Sequence, residues 1–177
     1  MTALRPAAAP ERARRRASPL AAVSGNDQNL PLARLFALAV HTLVEPLQVR
    51  LAELGFADAR PAFAFVLLAL QRRPLSGSEV ADLLGTSKQA ASKLLDTMVA
   101  RGYIRRTHHG SDARIKLLRI TPRGRRCLAT AERIQTRLEA RWSALLGRRN
   151  LTRLRRDLRR VILAANHDHW PALEPIR

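Results

Sequence analysis

Acidic residues are scarce in this chain: 14 against 32 lysines and arginines, for a net charge of +18. A field of that sign favours a polyanion, whether DNA, RNA or an anionic membrane. A genomic preference for arginine yields the same balance with no partner at all. Lysine is also rare, occurring only as Lys88, Lys93 and Lys116. Cysteine occurs once, as Cys127, which excludes an internal disulfide and suits a reducing cytoplasm. No unbroken run of about eighteen apolar residues is present, so no membrane span is expected. The charged start is not followed by an apolar segment, so no secretory signal is expected. There is no glycine-rich phosphate loop, no nucleophile–base constellation and no carboxylate pair placed for acid–base work, and an enzyme is not expected. His108-His109 and His167-Asp168-His169 lie far apart with no cysteine near them, whereas zinc wants three or four convergent ligands. No metal or other cofactor is expected.

At 177 residues and 46% hydrophobic content the chain has room for one domain with a real core. Its most informative stretch is Leu75–Ile120. Ser76 followed by Glu79 is a capping box, and Val80, Leu83 and Leu84 then mark one face of a short helix. Gly85 suits the left-handed end of that helix. Thr86 is read as the cap of a second helix, with Gln89 at the matching third position. Ala91, Leu94, Leu95 and Met98 face inward, Lys88, Gln89, Ser92 and Lys93 outward, and Gly102 ends the helix. Two helices joined in this way form a helix-turn-helix, whose second helix can enter a DNA major groove. Tyr103–Thr107 and Arg114–Ile120 read as strands flanking a tip at residues 108–113. The whole reads as a winged helix, mainly α with a small β-hairpin. Arg105, Arg106, Arg114, Lys116 and Arg119 charge the wing.

This stretch resembles the MarR family of bacterial transcriptional regulators. The resemblance rests on LSGSEVADLLGTSKQAASKLLDTMVARGYIRR and then SDARIKLLRITPRGRRCL, in which Asp112-Ala113-Arg114 and Thr121-Pro122-Arg123-Gly124 are specific in combination. Less sharply, it covers Leu30–Asn166.

Around the winged helix (about 61–121) lie further helices. Leu30–Leu54 repeats apolar residues at three and four, with Pro46 inside, where a kink or break is expected. Pro61 opens a second helix that is apolar nearly all round. Thr121 and Pro122 start a long helix to about Leu146, with a stripe from Leu128 through Ile134 and Leu138 to Leu145. Asn150 is read as the cap of a last, arginine-rich helix. The segments 30–54 and 122–166 carry apolar stripes that a small winged domain cannot cover alone. The resemblance implies that they interlock two subunits into a homodimer. The paired recognition helices would then meet successive major grooves of a pseudo-palindromic site, ~34 Å apart. Residues 1–29, with RARRR at 12–16, are expected to be a disordered basic leader. They fit a tail without a role, an arm adding non-specific DNA affinity, or an over-long start to the reading frame. Residues 167–177 form a tail.

The residues expected to meet DNA are Thr86, Ser87, Lys88, Gln89, Ser92 and Lys93 on the second helix, and Arg105, Arg106, His108, Asp112 and Arg114 on the wing. Gln can bond an adenine edge twice and Lys can reach guanine acceptors. Thr and Ser at a helix N-terminus suit phosphate oxygens. The bland alternative is that these residues cap the helix and solvate its face. The resemblance gives Arg114 a minor-groove role, with Asp112 ordering it; otherwise the two form an ordinary charged turn. It also implies a small aromatic or amphipathic ligand near His41, Phe63, Phe65 and Trp142, although core packing is the simpler account of these residues. Cys127 lies among Arg123, Arg125 and Arg126, which can activate a thiol, but an inert buried thiol is the simpler expectation.

The expected function is thus a cytoplasmic, sequence-specific, double-stranded-DNA-binding regulator, a dimeric repressor relieved by a ligand. A basic nucleoid protein that binds DNA without sequence preference is the alternative.

Overall fold

A computed structural model describes residues 30–109 and 112–172. The chain divides into two units, 1–39 and 40–177, and the boundary falls inside helix α1 (Leu32–Leu51). The described part of the first unit is 30–39, where Leu32, Leu35, Phe36 and Leu38 are exposed. The basic leader, Gly110, Ser111 and the tail from 173 lie outside the described residues.

α1 remains helical through Pro46, so the expected kink or break does not take the form of a break there. The interruption comes at Leu54 (φ −95°, ψ 16°) and Gly55 (φ 87°), inside a π-helical turn over Ala52–Phe56. Proline removes one amide donor, but its fixed φ is itself helical. Leu43 and Leu47 on one side of the break and the buried Leu51 and Phe56 beside it pack against the core, which holds the chain helical past Pro46. Glycine takes the left-handed φ without a Cβ penalty. Taken as one run, Leu32–Phe56 is 25 residues long and, by length and composition alone, apolar enough to cross a membrane. The run is not consecutive in sequence, since Arg34, His41, Thr42, Glu45, Gln48, Arg50 and Glu53 interrupt it.

α2 (Pro61–Arg72) begins with proline at its first turn and buries Phe63, Val66, Leu67 and Leu70. An unanticipated two-residue strand, β1 (Leu75–Ser76), leads into α3 (Gly77–Leu83). The capping box is formed as read. The Ser76 amide donates to Glu79 Oε2 at 2.7 Å, and the Glu79 amide donates to Ser76 Oγ at 3.3 Å. Arg73 adds a hydrogen bond to Glu79 Oε1 at 2.6 Å. The Ser76 amide, then Arg73, hold the Glu79 carboxyl down from 4.5 to about 2. A depressed carboxylate stabilises the fold above its unfolded value and loses that contribution as pH falls through the folded one. Glu79→Gln is therefore expected to lower stability near neutrality and to flatten the acid limb between pH 4.5 and about 2, read by urea unfolding at stepped pH. Parallel acid limbs for the two proteins would show that Glu79 does not carry it.

α4 (Lys88–Ala100) completes the two-helix motif. Its N-cap is Ser87, whose Oγ accepts from the Ala90 amide at 3.2 Å. This corrects the reading of Thr86 as cap and leaves Gln89 outside any capping box. β2 (Ile104–His109) and β3 (Asp112–Ile120) form the wing, longer toward the tip than expected, and β3 is the centre of a three-stranded antiparallel sheet ordered β1-β3-β2. Leu75 lies opposite Leu118, and Ile104 opposite Ile120.

α5 (Pro122–Leu146) starts at the expected cap, with Thr121 Oγ1 accepting from the Gly124 amide at 3.1 Å. Its stripe buries Leu128, Ala131, Ile134 and Leu138, while Leu145 stays 84% exposed. α6 (Arg148–Ala165) begins directly after Gly147, which takes the cap position at φ 80°. Asn150, expected as the cap, lies in the first turn and donates Nδ2 to the Leu146 carbonyl at 2.8 Å. No residue of α6 is buried.

Candidate nucleic-acid interface

One side of α4 is locked into the core by Ala91, Leu95 and Met98, which leaves Lys88, Gln89, Ser92 and Lys93 exposed on the other. Thr86 is half-buried in the turn before it, its amide bonded to the Ala81 carbonyl at 3.1 Å. Beside this face runs a groove of about 370 Å³, bounded by Lys88 and Ser92 of α4, Ser76, Gly77 and Ser78 at the start of α3, and Arg106 and Lys116 of the wing. The structure thus joins Lys88 and Ser92 to Arg106, and adds Lys116 and the Ser76–Ser78 corner. That corner sits in the groove because β1 ties it to β3, a pairing too short to be legible in sequence.

Strand alternation explains which wing cations face α4. Arg106 lies opposite Leu118, which is buried, and Lys116 is two residues before Leu118 on the same face. Arg105 points to the other face, directly opposite Arg119. Like charges facing each other across a ladder are destabilising, a cost that a polyanion would remove. Arg106 is ion-paired with Asp96 of α4, so one carboxylate of the exposed helix ties it to the wing. His108, Asp112 and Arg114 lie on the wing strands, and their side chains are outside the described residues.

A second polar cluster fixes the winged helix to the helices around it. Tyr103 Oη donates to Asp58 Oδ1 at 2.6 Å, and Arg123 Nη2 donates to the same oxygen at 3.1 Å. Arg101 Nη1 donates to the Asp58 carbonyl at 2.7 Å. The Arg123 guanidinium stands 4.9 Å from the Tyr103 ring centre and 5.3 Å from that of Phe56, a cation–π geometry. Burial, the largest influence, pushes the Asp58 carboxyl up, but the Tyr103 hydrogen bond, with Arg123 and Arg101, outweighs it and holds the group below its ordinary value. Burial and the Asp58 carboxylate push the Tyr103 phenol well above its own.

Cys127 is buried, and that burial pushes its thiol up to about 11 against the opposing pull of Arg123. The thiolate is the reactive form, so the neighbouring arginines do not activate it. Phe63 is buried edge-on to Tyr103, ring centres 5.3 Å apart. Phe65 and Trp142 are half-buried, and His41 is exposed, 3.2 Å from Glu45. A cleft of about 540 Å³ between α1 and α5 is lined by other residues, among them Glu45, Val49, Ile134, Arg137 and Arg141.

Residues 64–115, from within α2 to the middle of β3, match the family model described as MarR family. The matched segment is similar to a MarR-family domain. No curated protein matches the sequence. Among solved structures, the MarR fold extends well beyond that domain. The reduced form of MarR from E. coli aligns with a TM-score of 0.63 at 21% identity, over 76% of this chain and 98% of that one. A mutant of MarR from E. coli complexed with operator DNA aligns at 0.61 and 21% identity, over 77% and 96%. A mutant of MepR from S. aureus bound to an oligodeoxyribonucleotide aligns at 0.54 and 18% identity, over 77% and 99%.

Proposed function

We propose that the protein is a MarR-type transcriptional regulator that binds double-stranded DNA as a homodimer. The observation that carries this reading is α4: a helix anchored by Ala91, Leu95 and Met98 whose free face shows Lys88, Gln89, Ser92 and Lys93 beside the cations of a wing. Its fold is shared with a MarR that is complexed with operator DNA. In this reading Gln89 and Lys93 read base edges, Thr86, Ser87, Lys88 and Ser92 hold phosphates, and Arg105, Arg106, His108 and Arg114 secure the flanking backbone or minor groove, with Asp112 ordering the tip. A second subunit covers the exposed apolar residues of α1 and, separately, Val161 and Ile162 of α6, which gives the apolar run of α1 a protein partner rather than a membrane. The protein then works in the cytoplasm.

The finer reading is repression relieved by a small aromatic or amphipathic ligand. The α1–α5 cleft supports it, combining Val49, Ile134 and Leu138 with Arg137 and Arg141. A ligand there would shift the two recognition helices away from the ~34 Å groove repeat and weaken specific binding far more than non-specific binding.

The test is fluorescence anisotropy on DNA from the gene's own upstream region, with unrelated DNA of equal length as control, over a salt series. Binding at least ~10³-fold tighter than the control at physiological salt is expected. Equal affinities and equal salt slopes, with no motif recovered by selection from random DNA, would leave a basic architectural protein.

A further inference from the structure

The largest concentration of charge outside the winged helix is α6. Of its 18 residues seven are arginine, and Asp157 alone is acidic. At about 3.6 residues per turn the arginines fill an arc of roughly 160°, with Leu151, Leu154 and Leu158 on the opposite side. Those leucines are half-buried, and Arg155 reaches back to Glu139 of α5. The helix is seated by its apolar side and turns its arginines outward. Some of the charge is answered locally. Arg153 and Arg156 share Asp157 at 3.4 and 3.3 Å, and Arg159 stands over the Trp170 ring at 5.7 Å. Arg148, Arg149 and Arg160 have no hydrogen-bond, ion-pair or ring partner for their side chains among the described residues.

We propose that this arginine face of α6 is a second polyanion-binding surface, and that its partner is a nucleic-acid duplex held through its phosphates. It goes beyond the α4 reading and does not depend on it.

Three features choose the duplex over an anionic membrane. An interfacial helix binds a bilayer by sinking its apolar face into the headgroup boundary, and in α6 the leucines of that face are partly covered. The charge is carried by guanidinium forks, which match phosphate oxygens two at a time, and not by lysine. Arg148 to Arg160 spans about 18 Å of helix, a length over which one DNA strand carries about five phosphates. A subunit docked on one duplex through α4 would hold a second through α6 and bring two DNA segments together.

The experiment compares the full-length protein with R148Q/R149Q/R160Q, K88Q/K93Q and the combination of all five. Each is titrated with a short duplex of unrelated sequence across a salt series, with circular dichroism to confirm folding. Because the three arginines are exposed and unpartnered, the helix is expected to stay intact. The α6 variant is expected to reduce the slope of log affinity against log salt by about 2 to 3, at ~0.9 for each phosphate no longer neutralised. In the five-fold variant the losses of slope from the two sets are expected to add, leaving only what the wing cations supply. An unchanged slope in the α6 variant would overturn the proposal. So would a variant that loses binding to phosphatidylserine vesicles while keeping its affinity for the duplex, since the surface would then be a membrane contact. Failure of the α4 reading shows elsewhere, as unchanged binding of K88Q/K93Q to the upstream DNA.

Discussion

Gly124→Ala is expected to lower the melting temperature by about 10 °C. A Cβ at this position would stand 2.2 Å from the Tyr103 carbonyl oxygen, 2.9 Å from Ile120 Cγ1 and 3.1 Å from Leu67 Cδ2. The first is a backbone atom and cannot rotate away. It is also held in place, because the Thr121 amide donates to it at 3.1 Å and Thr121 Oγ1 lies 2.9 Å from it. Relief requires α5 to lift from the β2 entrance, which opens the packing of Leu67 and Ile120 as well. Overpacking of this kind costs about 3 kcal/mol, and at ~2–4 °C per kcal/mol for a domain of this size the shift is about 10 °C. The sign is diagnostic. In an open helical position alanine is favoured over glycine by ~1 kcal/mol, so a raised melting temperature, at fixed protein concentration, would show that the close approach does not exist.

Gly124 also shows where the sequence was legible and where it was not. As part of Thr121-Pro122-Arg123-Gly124 it marked the start of a helix after the wing, and α5 starts there. The reason for the glycine is its close approach to Tyr103, about twenty positions away, which no local pattern encodes. The same division runs through the chain. The capping box of Ser76 and Glu79 and the inward set Ala91, Leu94, Leu95 and Met98 are short-range features; the structure forms the box and buries Ala91, Leu95 and Met98, with Leu94 half-buried against the core. Thr86 and Ser87 are both good capping types, and the spacing to Gln89 pointed to Thr86; the first turn starts at Lys88 and selects Ser87 instead. The Asp58–Tyr103–Arg123 cluster joins residues 45 and 65 positions apart; Tyr103 read only as the start of a strand and Arg123 as part of a helix start, and nothing in the local pattern singled out Asp58. At the interface, the exposed face of α4 followed from helical periodicity, whereas Lys116 and the Ser76–Ser78 corner entered through the pairing of β1 with β3.

Replacing Lys88 and Lys93 together by alanine is expected to weaken binding to the upstream DNA by about 10³-fold while leaving the fold intact. Both side chains are exposed, Lys93 on the side of α4 away from Ala91, Leu95 and Met98 and Lys88 at the edge of the groove that Leu95 also lines, and alanine is at least as good a helix former as lysine. No packing is removed. In a dimer each substitution acts at two recognition helices, so four lysines are taken from the DNA. At ~1 kcal/mol each, the low end for a lysine on a base or phosphate, the loss is about 4 kcal/mol, or about 10³-fold. Salt dependence separates the two roles. A lysine on a phosphate releases counterions, so removing it lowers the salt slope by ~0.9, whereas one on a guanine edge leaves the slope largely unchanged and narrows the gap between upstream and unrelated DNA. Lys88 borders the groove shared with Arg106 and Lys116, where a backbone phosphate would be met by three cations, and its single substitution is expected to act mainly on the slope. Lys93 lies on the open side of the helix with Gln89 and Asp96, and its single substitution is expected to act mainly on the gap. Equal losses on both DNAs from both variants would reduce α4 to a source of charge, and the specific-regulator reading would fall with it.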